Sequence, residues 1–306
     1  MPESARAFAP GSIGNVGPGL DILGLAVTGP GDTVTLHRID GHGISIVDAG
    51  DPSLSTEPDQ HASAIAARAV FDAAGFTGGV TLALRKELPL SGGQGGSAAS
   101  AVAGAVAANH LVSAGLDPID VLRAALVAET AVAGRHADNL AASLLGGFVL
   151  VRSLDPVDVI RLPVPTGLHV VLAKPEQQLR TRDSRAALPA SVPREIALAQ
   201  AANIAAMVAA ACLDDVAKFC AAIDDRLAEP ARAPLLPGFR DAKRAALDAG
   251  ALACTISGAG PTSFALTTDA AIAARVAKAM VGAYTSAGLA ANARIAAVDL
   301  DGARLL

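Results

Sequence analysis

A run of glycines stands between an apolar strand-like stretch and a long alanine-rich one, and that order constrains the fold more than any other feature of the chain. Residues 80–84 read as a strand and residues 97–113 as a helix, with Leu88-Pro-Leu-Ser-Gly-Gly-Gln-Gly-Gly-Ser-Ala-Ala-Ser100 between them. Glycine allows the backbone to turn sharply and to approach a ligand closely. The first N–H groups of a new helix lack intrahelical partners and lie at the positive end of its dipole. Together these make a cradle for a phosphate group. Ser97, where the helix begins, can cap the N-terminus, touch a phosphate oxygen or ligate a magnesium ion. A plain glycine-rich connection with a serine cap accounts for the same residues. Two better-known phosphate motifs are disfavoured. A P-loop requires Gly-Lys-Ser/Thr, and there is no lysine here. A dinucleotide fingerprint on Gly93-Gln-Gly95-Gly-Ser-Ala98 fails because Lys86, Glu87 and Pro89 interrupt the strand and no acidic residue ends the next strand.

Around this loop, short Val/Leu/Ile runs alternate with alanine-rich helical runs, which implies an α/β or α+β protein. Strands are expected near 5–9, 33–38, 43–47, 80–84, 147–151, 157–162, 169–173, 254–257 and 263–267. Helices are expected near 63–74, 97–113, 118–130, 194–211, 214–226, 238–248 and 270–286. A chain of 306 residues suggests two domains, and the proline-rich stretch 154–165 is the natural seam, giving 1–155 and 156–306. Apolar residues make up 52% of the chain but aromatics only 3%, with no Trp. Small aliphatic side chains must therefore build the core, and helices must approach closely.

The formal charge of −5 supplies no basic field for nucleic acid or an anionic membrane. The three cysteines, Cys212, Cys220 and Cys254, match neither a zinc cluster nor a disulfide framework. The N-terminus lacks a basic region followed by an apolar one, and Gln200 and Asn203 interrupt the most apolar window. No signal peptide or membrane span is expected, which points to the cytoplasm.

Three further segments carry polar residues in unusual density. Ala9-Pro-Gly-Ser-Ile-Gly-Asn-Val-Gly-Pro-Gly-Leu-Asp21 sets Asn15 and Asp21 among four glycines, as either an Asx-stabilised loop or a substrate contact. Glu129-Thr-Ala-Val-Ala-Gly-Arg-His-Ala-Asp-Asn139 offers a carboxylate, an imidazole and an amide, enough for a cation ligand and polar substrate contacts. A helix ending at Gly134 explains Arg135 and His136 but not the crowding of Asp138 and Asn139. Thr181, Arg182 and Arg185 recur at near-helical spacing, and Arg232 precedes Leu235-Leu-Pro-Gly238; arginine suits carboxylates and phosphates. Thr255-Ile-Ser-Gly-Ala-Gly-Pro-Thr262 is a second glycine turn, readable as a tight hairpin.

Taken in order, these segments resemble the three signature motifs of the GHMP kinases, particularly the branch that phosphorylates homoserine. Asn15-Val-Gly-Pro-Gly-Leu-Asp21 resembles the first motif, residues 89–100 the phosphate loop, and Ser257-Gly-Ala-Gly-Pro-Thr262 the third. The resemblance spans nearly the whole chain. It implies an α+β, two-domain GHMP kinase fold: an N-terminal domain like ribosomal S5 domain 2 and a ferredoxin-like C-terminal domain, with the site between them.

It also implies roles. Pro89, Ser91, Gly92, Gly93, Gln94, Gly95, Gly96, Ser97 and Ala98 would hold ATP, and Ser97 and Glu129 would hold Mg²⁺. Asn15, Asp21, His136, Asn139, Thr181, Arg185, Arg232 and Gly260 would surround L-homoserine, with Asn139, Asp138 and Arg185 nearest the chemistry. The implied reaction is in-line phosphoryl transfer to the side-chain hydroxyl, giving O-phospho-L-homoserine for threonine biosynthesis. Asn139 would orient the hydroxyl, with Asp138 the fallback base. Other readings are a related kinase for a threonine- or mevalonate-like substrate, and a ligand-binding relative without catalysis. The partners implied are small molecules, with no nucleic acid or membrane, and a homodimer is the assembly considered. Two departures stand out: Gln94 replaces the usual Leu and Gly96 the usual first Ser, so the loop should lose a hydroxyl and gain freedom. Pro58-Asp-Gln-His61 also stands where the family carries Asn, with Gln60 a substitute for an adenine contact.

Overall fold

The computed structural model describes every residue except Arg180 and the side chain of Thr181. The first part of the chain runs β1 (Ser4–Gly14), β2 (Leu23–Ile39), β3 (Gly43–Asp48), α1 (Ala62–Ala73), β4 (Gly79–Arg85), α2 (Gly96–Leu111), α3 (Pro118–Val132), α4 (Asp138–Leu145), β5 (Phe148–Leu154) and β6 (Val157–Leu162). The second runs β7 (His169–Pro175), α5 (Thr181–Ala186), α6 (Arg194–Cys212), α7 (Val216–Ala221), α8 (Ala228–Arg232), α9 (Phe239–Asp248), β8 (Ala253–Ile256), β9 (Ser263–Thr267), α10 (Ala270–Ser286), β10 (Ala291–Ala296) and β11 (Arg304–Leu305).

Two sheets organise these elements. One has seven strands, with a path β11-β1-β2-β4-β3 and the β5–β6 hairpin attached to β2. The other is antiparallel with order β10-β7-β9-β8, the 4-1-3-2 arrangement of a ferredoxin-like sheet. The last strand, β11, returns to pair with β1, so the C-terminus closes the first sheet rather than the second. A division at 155/156 cuts the β5–β6 hairpin, whose strands pair from Phe148↔Leu162 to Leu154↔Val157. We propose the boundary after Leu162 instead.

The aliphatic composition has the structural effect anticipated for it. In α2, Ala98, Ala99, Ala101, Ala103, Ala105, Ala107 and Ala108 are all buried. A Cβ at Gly104 would lie 2.9 Å from Ser63 Cα in α1, so the two helices meet backbone to backbone. Helix α6 is long and apolar enough to cross a membrane by length and composition alone. Its central Gln200 instead donates to the Pro18 carbonyl and to Asp225, at 2.7 and 2.9 Å, and accepts from the Arg226 N–H.

Beneath the glycine loop lies a buried ion pair that sequence reading passed over. Lys86 and Asp32 are 5% and 0% exposed. Asp32 also accepts the Ser100 hydroxyl at 2.6 Å and the N–H groups of Glu87 and Leu88, while Lys86 donates to the Gly96 carbonyl at 2.8 Å. The pair thus fixes both ends of the loop. Replacing Lys86 with Met strands a buried carboxylate and is expected to cost about 3 kcal/mol in denaturant unfolding; a loss below about 1 kcal/mol would show that Asp32 is satisfied by its other donors.

Candidate active site

The glycine loop closes against two other segments. Gly95 caps α2 in the left-handed region, at φ 67°, and Gly93 has φ 73°. A Cβ at Gly93 would fall 2.6 Å from the Ser257 carbonyl oxygen and 2.8 Å from that of Gly260, so glycine is required. The third motif is a short hairpin loop: the Ser257 N–H still donates to the Thr262 carbonyl at 2.8 Å, so only residues 258–261 turn between β8 and β9. The Ser257 and Thr262 hydroxyls bind the glycine loop, donating to the Gly93 and Gly92 carbonyls at 2.6 and 2.5 Å.

The first motif is held at its other side. Asn15 adopts φ 67°, its amide oxygen accepts the Asp21 N–H at 3.0 Å, and its amide nitrogen donates to the Gly258 carbonyl at 3.0 Å. It therefore organises the loop while facing the cavity. Val16 follows at φ 47°, a strained conformation for a β-branched residue. Gly14 lets β1 run against α4: its Cβ would sit 2.5 Å from both Asp138 Oδ2 and Asn139 Nδ2.

These segments surround a cavity of about 390 Å³. Among the anticipated residues, Asn15, Asp21, Glu129, His136, Asp138, Asn139, Arg185, Arg232 and Gly260 line it. So do Pro89, Ser91, Gly92, Gly93, Gly95, Gly96 and Ser97 of the glycine loop. Two anticipated residues do not face it. Ala98 is 0% exposed in the core, and Gln94 turns its side chain toward Thr262 and Arg294. The Thr181 side chain lies outside the described residues. Gln60, offered as an adenine contact, lines the cavity together with His61, Leu54 and Leu90. Lys86 lines it as well, and its position two residues after a predicted strand and beside the glycine run was the only signal for it.

The electrostatics divide the cavity. On one side Ser97 Oγ donates to Glu129 Oε1 at 3.1 Å, and Glu129 Oε2 is buried without a partner. Ser97 is thus not a helix cap; its hydroxyl is turned to the carboxylate. Burial pushes the Glu129 carboxyl above its ordinary pKa, against the attraction of His136. His136 lies 3.8 Å from Glu129 Oε1 and 3.5 Å from Asp138 Oδ1. Burial pulls its imidazole down, but Asp138 and Glu129 together hold it above its ordinary value. Asp138 Oδ2 accepts the Asn15 N–H while Oδ1 has no hydrogen-bond partner, and Asn139 Oδ1 accepts the Ser12 hydroxyl at 2.9 Å. Asp138 and Asn139 open α4, a helix that the reading of this stretch as a helix end overlooked.

On the other side are two arginines in unequal states. Arg185, on α5, forms a two-pronged pair with Asp21 at 2.6 and 3.0 Å. Arg232, on α8, is 3% exposed and donates to the Gly258 carbonyl at 2.9 Å. Among the described residues no carboxylate lies within ion-pair distance of it, and burial lowers its pKa. A buried guanidinium facing a cavity without a counter-charge suits an anionic ligand.

Two family models match the chain: the GHMP kinases N terminal domain over residues 61–147 and the GHMP kinases C terminal domain over residues 207–285. The fold and the glycine loop thus define a GHMP kinase. A homoserine kinase of Chlorobaculum tepidum is 36% identical over 99% of this chain and 98% of its own. One from Arabidopsis thaliana is 40% identical over 99% of this chain and 85% of its own. A crystal structure of homoserine kinase from Cytophaga hutchinsonii superposes with a TM-score of 0.95 at 38% identity, covering 100% of this chain and 98% of that one. The chain belongs to the homoserine kinase family of the GHMP kinases.

Proposed function

We propose that the protein transfers the γ-phosphoryl group of ATP to the side-chain hydroxyl of L-homoserine, forming O-phospho-L-homoserine and ADP, the step that leads toward threonine. The observation that carries this reading is that Gly93, Ser97 and the unpaired Arg232 open into one cavity. A phosphate cradle and an anion-binding guanidinium that share a space can hold nucleotide and acceptor side by side, and positioning supplies much of phosphoryl-transfer catalysis.

The residues present fit a magnesium ion. Glu129 presents a buried, unpartnered oxygen and Ser97 a hydroxyl beside it, the hard oxygen donors that such an ion takes along with phosphates and water. Bound there, it would neutralise charge on the transferring phosphate. The loop N–H groups of Gly93, Gly95 and Gly96 would hold the phosphates. Asn139 would orient the homoserine hydroxyl, and Asp138, whose Oδ1 makes no hydrogen bond and lies 3.5 Å from His136, would be the fallback acceptor of its proton as the new oxygen–phosphorus bond forms and the β,γ-bridging bond breaks.

For the acceptor, Arg185 and Arg232 would take the carboxylate and Asp21 the ammonium group. The Asp21–Arg185 pair favours an amino acid over a mevalonate-like acid, because one zwitterion can offer each member of that pair an opposite charge, its carboxylate to Arg185 and its ammonium to Asp21. The same reading places the enzyme in the cytoplasm, acting on small molecules without nucleic acid or membrane, with a homodimer as the assembly to look for.

A coupled ADP-release assay across L-homoserine, L-threonine and mevalonate tests the assignment. Turnover of homoserine with a kcat/KM at least about tenfold above the others is expected, because mevalonate lacks the ammonium group that Asp21 would hold and threonine, with both charges, carries its hydroxyl one carbon nearer the backbone. ADP release with threonine or mevalonate alone would replace the substrate, and nucleotide binding without ADP release would make the protein a binding relative.

A further inference from the structure

Gln94 breaks the pattern of the glycine loop, and its surroundings give a reason. Its Oε1 accepts from Nη2 and Nε of Arg294 on β10, at 3.1 and 3.4 Å. Arg294 Nη1 donates to the Thr28 carbonyl in β2 at 2.7 Å, and Thr28 is itself tied to Ala297 through both its N–H and its hydroxyl. The Gln94 amide nitrogen donates to Thr262 Oγ1 at 3.3 Å, and the Thr262 hydroxyl donates on to the Gly92 carbonyl. The Gln94 backbone carbonyl accepts the Ser12 N–H at 3.1 Å. One amide therefore joins the glycine loop to both sheets. Where the family carries Leu, Gln94 gives the loop a polar tether.

The cation at the end of that tether has no fixed counter-charge. Among the described residues no carboxylate lies within ion-pair distance of Arg294, and partial burial lowers its pKa. Two apolar side chains could join the lobes at lower cost. What a planar guanidinium adds is direction, since its fork fixes the rotamer of the amide it grips.

We propose that Arg294 is a positioning residue for the phosphate loop, acting through Gln94 to aim the N–H groups of Gly93, Gly95 and Gly96 at the nucleotide. The proposal rests on the ATP reading above. Neither residue lines the cavity in which the acceptor would sit, so the larger effect should fall on nucleotide binding.

The test is a double-mutant cycle read by calorimetric titration with ADP and by the homoserine KM at saturating ATP. Arg294→Met leaves Gln94 Oε1 as an unpaired acceptor and is expected to weaken ADP binding about tenfold, with the homoserine KM within about twofold of the parent. Gln94→Leu, which keeps the Arg294–Thr28 contact, is expected to weaken ADP similarly. The double variant removes both unpaired groups, so it should bind ADP no more weakly than either single variant. Losses that simply add in the double variant, equal ADP affinity in all four proteins, or a homoserine KM that moves in step would each overturn the proposal. A parent that binds no ADP overturns the nucleotide reading and this inference with it; a parent that binds ADP while the variants bind it equally overturns this inference alone.

Discussion

Replacing Glu129 with Gln is expected to lower kcat by about a thousandfold, equivalent to about 4 kcal/mol of transition-state stabilisation, while making the free protein more heat-stable at alkaline pH. The first effect follows if Glu129 holds the ion that neutralises the transferring phosphate. The second follows from burial. Glu129 is 2% exposed, and its carboxyl is pushed above its ordinary pKa, so the folded protein favours the protonated acid. The stability linked to that proton is complete below the unfolded value, near 4.5, and is lost as pH rises through the folded one. His136 shifts the same way for a different reason. Its imidazolium, held by Asp138 and Glu129, stabilises the fold fully below about pH 6.5, and that contribution disappears as pH climbs through its raised folded value. Above that point the charged Glu129 loses the imidazolium beside it, keeps only the weaker attraction of Arg185, and strains the fold most. The melting temperature of the Gln variant should therefore gain on the parent as pH rises from about 4.5 through the raised folded values of Glu129 and His136, and then level off. Scanning calorimetry across that range, with kcat measured alongside, checks both halves. Unchanged kcat would remove Glu129 from the chemistry, and a variant less stable at every pH would contradict the account of its burial.

Replacing Arg232 with Ala should raise the homoserine KM about a hundredfold, a loss of about 2.7 kcal/mol for a desolvated charged contact, and leave the ATP KM within about twofold. Among the described residues Arg232 has no carboxylate partner to strand, so removing it should cost only its bonds to the Gly258 and Ser184 carbonyls and its packing, less than the stranded charge at Lys86. Lysine should rescue poorly, because a point ammonium cannot supply the guanidinium fork. The Arg185→Ala variant should behave differently, since it releases Asp21 from its pair and leaves a free carboxylate facing the incoming substrate carboxylate. An Arg232→Ala enzyme with parental homoserine kinetics would exclude that residue from the acceptor site.

The strand-then-helix order around the glycine loop was legible because a short Val/Leu run and a long alanine-rich run flank a turn written in glycines. So were β6, β9 and α10, whose bounds match the apolar runs. What escaped was structure set by distant contacts. Residues 291–296, Ala-Asn-Ala-Arg-Ile-Ala, carry no apolar run that announces a strand, but they pair with β7 and become an edge strand. The sheet order carries the C-terminal residues back to β1, which no local pattern announces. The candidate site was readable as an ordered set of motifs, since each offers polar residues that its local structure does not require. The partnerships inside it were not. That Asp21 grips Arg185 while Arg232 stays unpaired, or that Gln94 reaches Arg294 across 200 positions, depends on how the two sheets meet.

The central claim is that the amides of the glycine loop and the guanidinium of Arg232 face two substrates held in one cavity. A crystal structure with a non-hydrolysable ATP analogue and L-homoserine tests it most directly. The account predicts the triphosphate on the N–H groups between Gly93 and Ser97, with the amino-acid carboxylate on Arg232 and its hydroxyl beside Asn139. A nucleotide bound elsewhere, with this cavity empty or homoserine turned away from Arg232, would contradict it.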